Sequence, residues 1–167
     1  INIINTELIL SDYEQCSKAI DNQKKKTRTN DKDEVSKLTI LNKCLETLAE
    51  GKSIRLLGLS NEETDSIKEY NFLTIKKVIY LCNVNEDELN NDNDHVKAVK
   101  EFINNEDALA LKLSANFEQE VSQLDDEDKA EFLTDYGLEC SGLETLAKQC
   151  YKLLGLETFL TSGEKET

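Results

Sequence analysis

The chain contains no methionine, no proline and no tryptophan, and its only histidine is His95. A chain without methionine does not start at an initiation codon, so Ile1 reads as an internal residue of a longer protein. One histidine restricts any Ser-His-Asp triad to His95. That residue lies in an acidic, asparagine-rich stretch with no supporting motif, and it reads as a surface side chain. Cysteine is present but unpatterned: Cys16, Cys44, Cys82, Cys140 and Cys150 are odd in number and form no C-x-x-C pair. This excludes a disulfide framework and a zinc site, and predicts a reducing, cytoplasmic compartment. No apolar run approaches the roughly 20 residues of a membrane span, and nothing resembles a signal peptide, so no membrane partner is expected.

Positive charge is scarce as well. Thirty-four acids face 20 Lys and Arg, for a formal charge of −14. The summed field repels phosphate backbones, so DNA is not an expected partner and any RNA contact must come from a local basic patch. With 38% hydrophobic and 32% charged residues in 167, the chain can build one or two small cores under a heavily solvated surface.

Residues 4–26 read as a helix, with Ile9, Tyr13, Cys16 and Ile20 at heptad spacing. A polar connection over residues 27–33 leads to a second helix, Glu34 to Glu50, with Leu38, Leu41, Leu45 and Leu48 on one face. Together they predict an antiparallel helical hairpin. Ser60-Asn61-Glu62-Glu63 is a capping box that opens a short helix to Tyr70. The period then changes. Phe72 to Cys82 is continuous, β-branched and aromatic, as a buried parallel strand requires. A helix over 94–104, a strand over Ala108–Leu113 and helices over 117–124, 126–136 and from Ser141 to Leu154 follow. The β-α-β-α order implies a right-handed parallel crossover belonging to a doubly wound sheet. Two strands do not form a stable sheet alone, so further strands are expected before Ile1.

The strand ending at Cys82 runs into Asn83-Val84-Asn85-Glu86, and the strand ending at Leu113 runs into Ser114-Ala115. Asn-x-x-acid at one strand end and Ser-Ala at the next is how GTPase-like folds hold a purine. The Asn ties the loops and reaches the imidazole edge, the next side chain covers a ring face, and the acid reads the Watson-Crick edge. Glu86 stands where a guanine site has Asp, and Val84 where it has Lys. That chemistry disfavours guanine, because a site that leaves polar groups unpaired discriminates strongly. No Gly-x-x-x-x-Gly-Lys-Ser/Thr loop is present. Gly51-Lys52-Ser53 imitates its end, but Glu46 occupies the position of the first glycine, and the segment reads as a turn leaving the hairpin. Lys24, Lys25, Lys26 and Arg28 concentrate positive charge at the hairpin tip. They read either as a contact for RNA phosphates or as a solvated helix end whose cations suit the dipole. Asp125-Asp126-Glu127-Asp128 lacks the alternating spacing of a calcium loop and reads as a helix start.

Taken in order, these segments resemble the YchF/Obg-like ATPases, in the Obg branch of P-loop NTPases. The resemblance is carried by Ile4-Asn5-Thr6-Glu7-Leu8 with Leu10 and Asp12, Lys43-Cys44-Leu45, Phe72-Leu73-Thr74, Asn83-Val84-Asn85-Glu86, Leu124-Asp125-Asp126-Glu127, Tyr136-Gly137-Leu138 and Tyr151-Lys152-Leu153-Leu154. It ends with Thr158-Phe159 leading to Thr161, Gly163, Lys165 and Glu166. It implies an α/β fold: part of a P-loop NTPase, with an inserted antiparallel coiled-coil hairpin, mostly α in this segment. Residues 1–71 would be the hairpin insertion, 72–157 the C-terminal part of the G domain, and 158–167 the link to a TGS domain. The implied activity is ATP hydrolysis in preference to GTP by the parent protein, with the phosphate loop, switch regions and Mg site upstream of Ile1. By itself this chain would be inactive. Asn83, Val84, Glu86, Ser114 and Ala115 would contact ATP, and ribosomes or ribosomal RNA would be partners. Lys77 stands where relatives commonly carry proline, and residues 87–107 match loosely. The competing class is a non-catalytic acidic helical module that binds a protein or RNA.

Overall fold

The computed structural model describes residues 1–27, 31–104 and 108–159. Arg28 and the closing motif residues Thr161, Gly163, Lys165 and Glu166 lie outside the described residues. The chain divides into two compact units, Ile1–Val78 and Ile79–Thr167.

The first unit is built on two helices, α1 (Asn2–Lys26) and α2 (Lys32–Ala49). Their antiparallel register is fixed by two cross-helix bonds. The Cys16 thiol donates to the Leu41 carbonyl at 3.3 Å, and the Gln23 amide donates to the Glu34 carbonyl at 3.0 Å. The seam differs from the apolar one read from the sequence. On α1 it comprises Ile9, Asp12, Cys16, Ala19, Ile20 and Gln23, whereas Tyr13 is exposed. On α2 it comprises Ile40, Leu41, Cys44 and Leu48, with Leu38 and Leu45 only partly buried. Two seam positions of α1 are therefore polar, and each is satisfied by a specific partner. The amide of Gln23 also bonds the Glu34 carboxylate, and its oxygen accepts the Tyr70 hydroxyl at 3.4 Å.

Gly51 leaves α2 at φ 73°, with its N–H on Leu48 O and the Lys52 N–H on Thr47 O. This is the pairing of a Schellman stop, which is how Gly51-Lys52-Ser53 serves as a turn. A 3-10 turn at Ile54–Leu57 precedes α3 (Asn61–Ile67), whose capping box is complete: Ser60 accepts from Glu63 N, and Glu63 accepts from Ser60 N.

The strand expected from Phe72 begins six residues later. Phe72 is 1% exposed in the core of the first unit, stacked on Tyr70, and Leu73 and Thr74 are held by the Asp12 carboxylate. With its N–H groups bonded to a side chain, this segment has no ladder to join, and β1 is confined to Val78–Asn83.

The buried thiols of the first unit carry a testable consequence. Burial pushes Cys16 up to about 12 and Cys44 up to about 11, from an ordinary value of 9.0. Below pH 9 both thiols are neutral whether the chain is folded or not. Above it the unfolded chain ionises first, so stability should fall as pH rises from about 9 towards 12. Native alkylation at pH 8 should label Cys140 and Cys150, which are partly exposed, well before Cys16 and Cys44. Equal labelling rates at all five would show that the helix pair is open.

The second unit contains β1, α4 (Asp94–Ile103), β2 (Ala108–Leu113), α5 (Ala115–Val121), α6 (Asp126–Asp135) and α7 (Gly142–Leu154). The strands are neighbours in a two-stranded sheet. They are parallel, since their C-terminal ends meet where Val84 N–H donates to Leu113 O at 2.9 Å. The crossover helix α4 buries Val96 and sets Phe102 edge-on to Tyr80, with ring centroids 6.2 Å apart. Beyond β2, Phe117, Phe132 and Tyr136 pack ring on ring, at centroid separations of 4.8–5.2 Å, with Val121 and Leu133 around them.

Side chains set the starts of α6 and α7. Asp125 accepts from Glu127 N and Asp128 N, so the acidic run is a helix cap. Ser141 caps α7 through Glu144 N, and the Glu144 carboxylate accepts from Lys129 at 2.6 Å. Glu118, 8% exposed, accepts from the N–H groups of Gly142 and Leu143. A Cβ on Gly142 would lie 2.7 Å from the Leu113 Cβ and 2.8 Å from a Glu118 oxygen, so the close seat of α7 requires glycine there.

Candidate functional site

The two parallel strands end side by side, and the chain leaving each one turns away to enter a helix. A crevice must open between such ends. It is present as a cleft of about 330 Å³ lined by Asn83, Val84, Asn85, Glu88, Asn93, His95, Ser114, Ala115 and Asn116. Its wall is largely polar, with amides, a hydroxyl, a carboxylate and an imidazole.

Asn83 is the last residue of β1, and its Oδ1 accepts the Ala115 N–H at 3.0 Å. This bond, together with that of Val84 N–H to Leu113 O, ties the two loops together. Ser114 is 2% exposed, and its Oγ caps α5 by accepting from Phe117 N at 3.4 Å. Val84 is 8% exposed and lines the cleft. The sequence therefore selects four residues that the fold brings together: Asn83, Val84, Ser114 and Ala115.

Glu86 behaves differently. It opens a 3-10 turn, Glu86–Glu88, is half-buried, and is not among the lining residues. The carboxylate that lines the cleft belongs to Glu88, and it is already engaged. It accepts from Asn85 N at 3.2 Å, closing a capping box in which the Asn85 side chain accepts from Glu88 N. Bonds from the Asn93 side chain and the Asn85 N–H hold the Glu88 carboxyl below its ordinary range.

Sequence reasoning missed Asn85, Glu88, Asn93, His95 and Asn116. The Asn85-x-x-Glu88 spacing is itself a capping signal, and Asn93 caps α4 through Val96 N at 2.9 Å. Both could have been read as fixing the loop. His95 is exposed, as expected, but it stands beside the cleft.

Lys24, Lys25 and Lys26 close the last turn of α1 on its exposed surface, where Lys24 lies 3.8 Å from Asp21. Among the described residues, no group of three or more His, Cys, Asp or Glu side chains is arranged to hold a metal ion. No described helix is long and apolar enough to cross a membrane.

No protein-family model matches the chain. Curated proteins do. The chain is 42% identical over 166 residues to the ribosome-binding ATPase YchF of Haemophilus influenzae, covering 99% of this chain and 46% of that protein. It is 40% identical to the protein of the same name from Escherichia coli O157:H7, and 37% identical to that of Bacillus subtilis, with the same coverage. The resemblance carried by the motifs thus holds along nearly the whole chain. The chain spans about half the length of the curated relatives it matches.

Proposed function

We propose that this chain, related throughout to YchF proteins, is part of an ATPase whose adenine sits in the cleft between the ends of β1 and β2. The observation that carries the reading is the Asn83 Oδ1 to Ala115 N–H bond. It joins the two loops that a purine site of this kind must bring together, and it does so at the residues the motif selects. The cleft's polar lining fits a heteroaromatic base with donors and acceptors on its edge. Asn83, Val84, Ser114 and Ala115 would hold the base.

The same geometry supports ATP over GTP. Guanine presents two adjacent N–H donors that need a free carboxylate. Glu86 does not line the cleft, and Glu88 is bound to Asn85 and Asn93. Guanine's donors would stay unpaired there, whereas adenine asks for no such acceptor.

In this reading residues 1–71 form a helical-hairpin insertion, residues 72–157 the last part of the G domain, and 158–167 the link to a TGS domain. The phosphate loop and the groups that hold Mg would belong to parts of the protein outside this chain. The relatives' name includes ribosome binding. The lysines at the end of α1, with Arg28, are the candidate contact for ribosomal RNA, because they gather cations on a chain of net charge −14. The protein would work in the cytoplasm.

The test is nucleotide binding and hydrolysis by the full-length protein. ATP should be preferred to GTP by about tenfold or more, and the 167-residue chain alone should hydrolyse neither. A full-length protein that binds no nucleotide but sediments with ribosomes would instead be the acidic interaction module.

A further inference from the structure

The loop from Val84 to Asn93 supplies five of the nine cleft-lining residues together with Asn83, and its middle is heavily acidic. Such a loop would repel itself and stay mobile unless something anchored it. One anchor is the Asn90 amide, which donates to the Tyr136 carbonyl at 2.8 Å; the other comes from the neighbouring strand. Lys112, next to last in β2, has a side chain only 18% exposed. Its Nζ lies 2.9 Å from Asp92 Oδ1 and 3.2 Å from the Glu88 carbonyl oxygen. Lys100 of α4 takes the other oxygen of the same carboxylate. The two cations hold the Asp92 carboxyl below its ordinary range.

We propose that Lys112 is a positioning residue for base recognition: it clamps the β1–α4 loop to β2 at Glu88 and Asp92, and so holds Asn85, Glu88 and Asn93 around the cleft. The inference rests on the cleft being the base site. Lys112 is not among the cleft-lining residues, so its effect runs through the loop. Lys100 fastens Asp92 only to α4, an element that follows the loop directly in sequence. The Asn90 bond to Tyr136 holds the middle of the loop only; among the described residues, Lys112 is the side chain that joins both Glu88 and Asp92 to a different element. Ordering the loop before the ligand arrives removes that cost from binding.

The test uses the full-length protein and two probes, ATP and inorganic tripolyphosphate, which has no base. Lys112→Met removes the charge and keeps the stem. It should weaken ATP binding by about three- to tenfold, the scale of one partly screened charge-assisted hydrogen bond. Tripolyphosphate binding should stay within about twofold, and Lys112→Arg, whose fork can span both oxygens, should recover ATP binding. A general loss of structure would weaken both probes. Should Lys112→Met fail to fold, Asp92→Ala opens the clamp from the loop side and is read in the same way. Asn83→Ala serves as the reference for the cleft itself. If Asn83→Ala weakens ATP binding while Lys112→Met and Asp92→Ala leave it unchanged, the clamp is refuted and the base site stands. If Asn83→Ala also leaves ATP binding unchanged, the base site is refuted and the clamp falls with it. Equal weakening of ATP and tripolyphosphate by Lys112→Met would likewise overturn the positioning role.

Discussion

Replacing Asp12 by alanine should destabilise the first unit by about 4–5 kcal/mol, more than an ordinary apolar truncation on the same helix. Asp12 is fully buried in the seam of α1. One carboxylate oxygen accepts the Leu73 N–H at 2.9 Å. The other accepts the Thr74 N–H and the Thr74 hydroxyl, both at 2.7 Å. Thr74 is itself 1% exposed, and its hydroxyl oxygen accepts from Ile54 N at 3.2 Å. One side chain thus organises the segment after Phe72 and, through Thr74, the 3-10 turn at Ile54. Alanine would strand three donors in a buried place, each an unmade hydrogen bond worth about 1–3 kcal/mol, with partial relief from water entering. Asp12→Asn keeps the shape but offers only one acceptor oxygen, so it should lose roughly half as much. Urea denaturation of the 167-residue chain, followed by helical circular dichroism, measures both. A midpoint for Asp12→Ala within experimental scatter of the parent would mean that the carboxylate does not organise this segment.

The same residue shows why the hairpin and most of its apolar seam were legible while the seam's polar positions were not. Heptad spacing identifies two helices that pack, and they do, with ends displaced by only a few residues. Hydropathy alone selects Tyr13 over Asp12, its neighbour, because a buried carboxylate is costly unless paired. The partners that pay for it are backbone N–H groups some sixty positions away, at Leu73 and Thr74. No local pattern records a bond of that range. The misplaced start of β1 has the same origin. The Phe72–Lys77 stretch has the composition of a strand, yet Asp12 bonds the N–H groups of Leu73 and Thr74, and Phe72 and Thr74 are buried with the helices. The cleft divides along similar lines. Asn83 and Ala115 were readable because they lie at the strand ends, Asn83 as the last residue of β1 and Ala115 two residues after β2. The place of Glu88 instead of Glu86 on the cleft was missed because the Asn85-x-x-Glu88 spacing was not read as the cap of a 3-10 turn.

Asn83→Ala in the full-length protein should weaken ATP binding by roughly ten- to hundredfold, or about 1.5–3 kcal/mol, with little change in melting temperature. The small structural effect follows from exposure, because Asn83 sits at the open end of β1. The Val84 N–H to Leu113 O bond remains when the side chain is removed. The large binding effect follows from two losses. The Ala115 N–H loses its acceptor, so the second loop is no longer held against the first. In the proposed site the base would also lose the Asn83 amide from its imidazole edge. Asn83→Asp separates the two. It preserves an acceptor for Ala115 N–H but removes the donor and adds a negative charge, so it should keep the loops joined and still bind ATP poorly. Competition titrations with ATP and GTP on the parent and both variants decide the matter. Unchanged affinity in Asn83→Ala would remove the cleft from nucleotide recognition. Near-parental affinity in Asn83→Asp with a marked loss in Asn83→Ala would assign Asn83 to holding the loops alone, with the base read by other groups of the cleft.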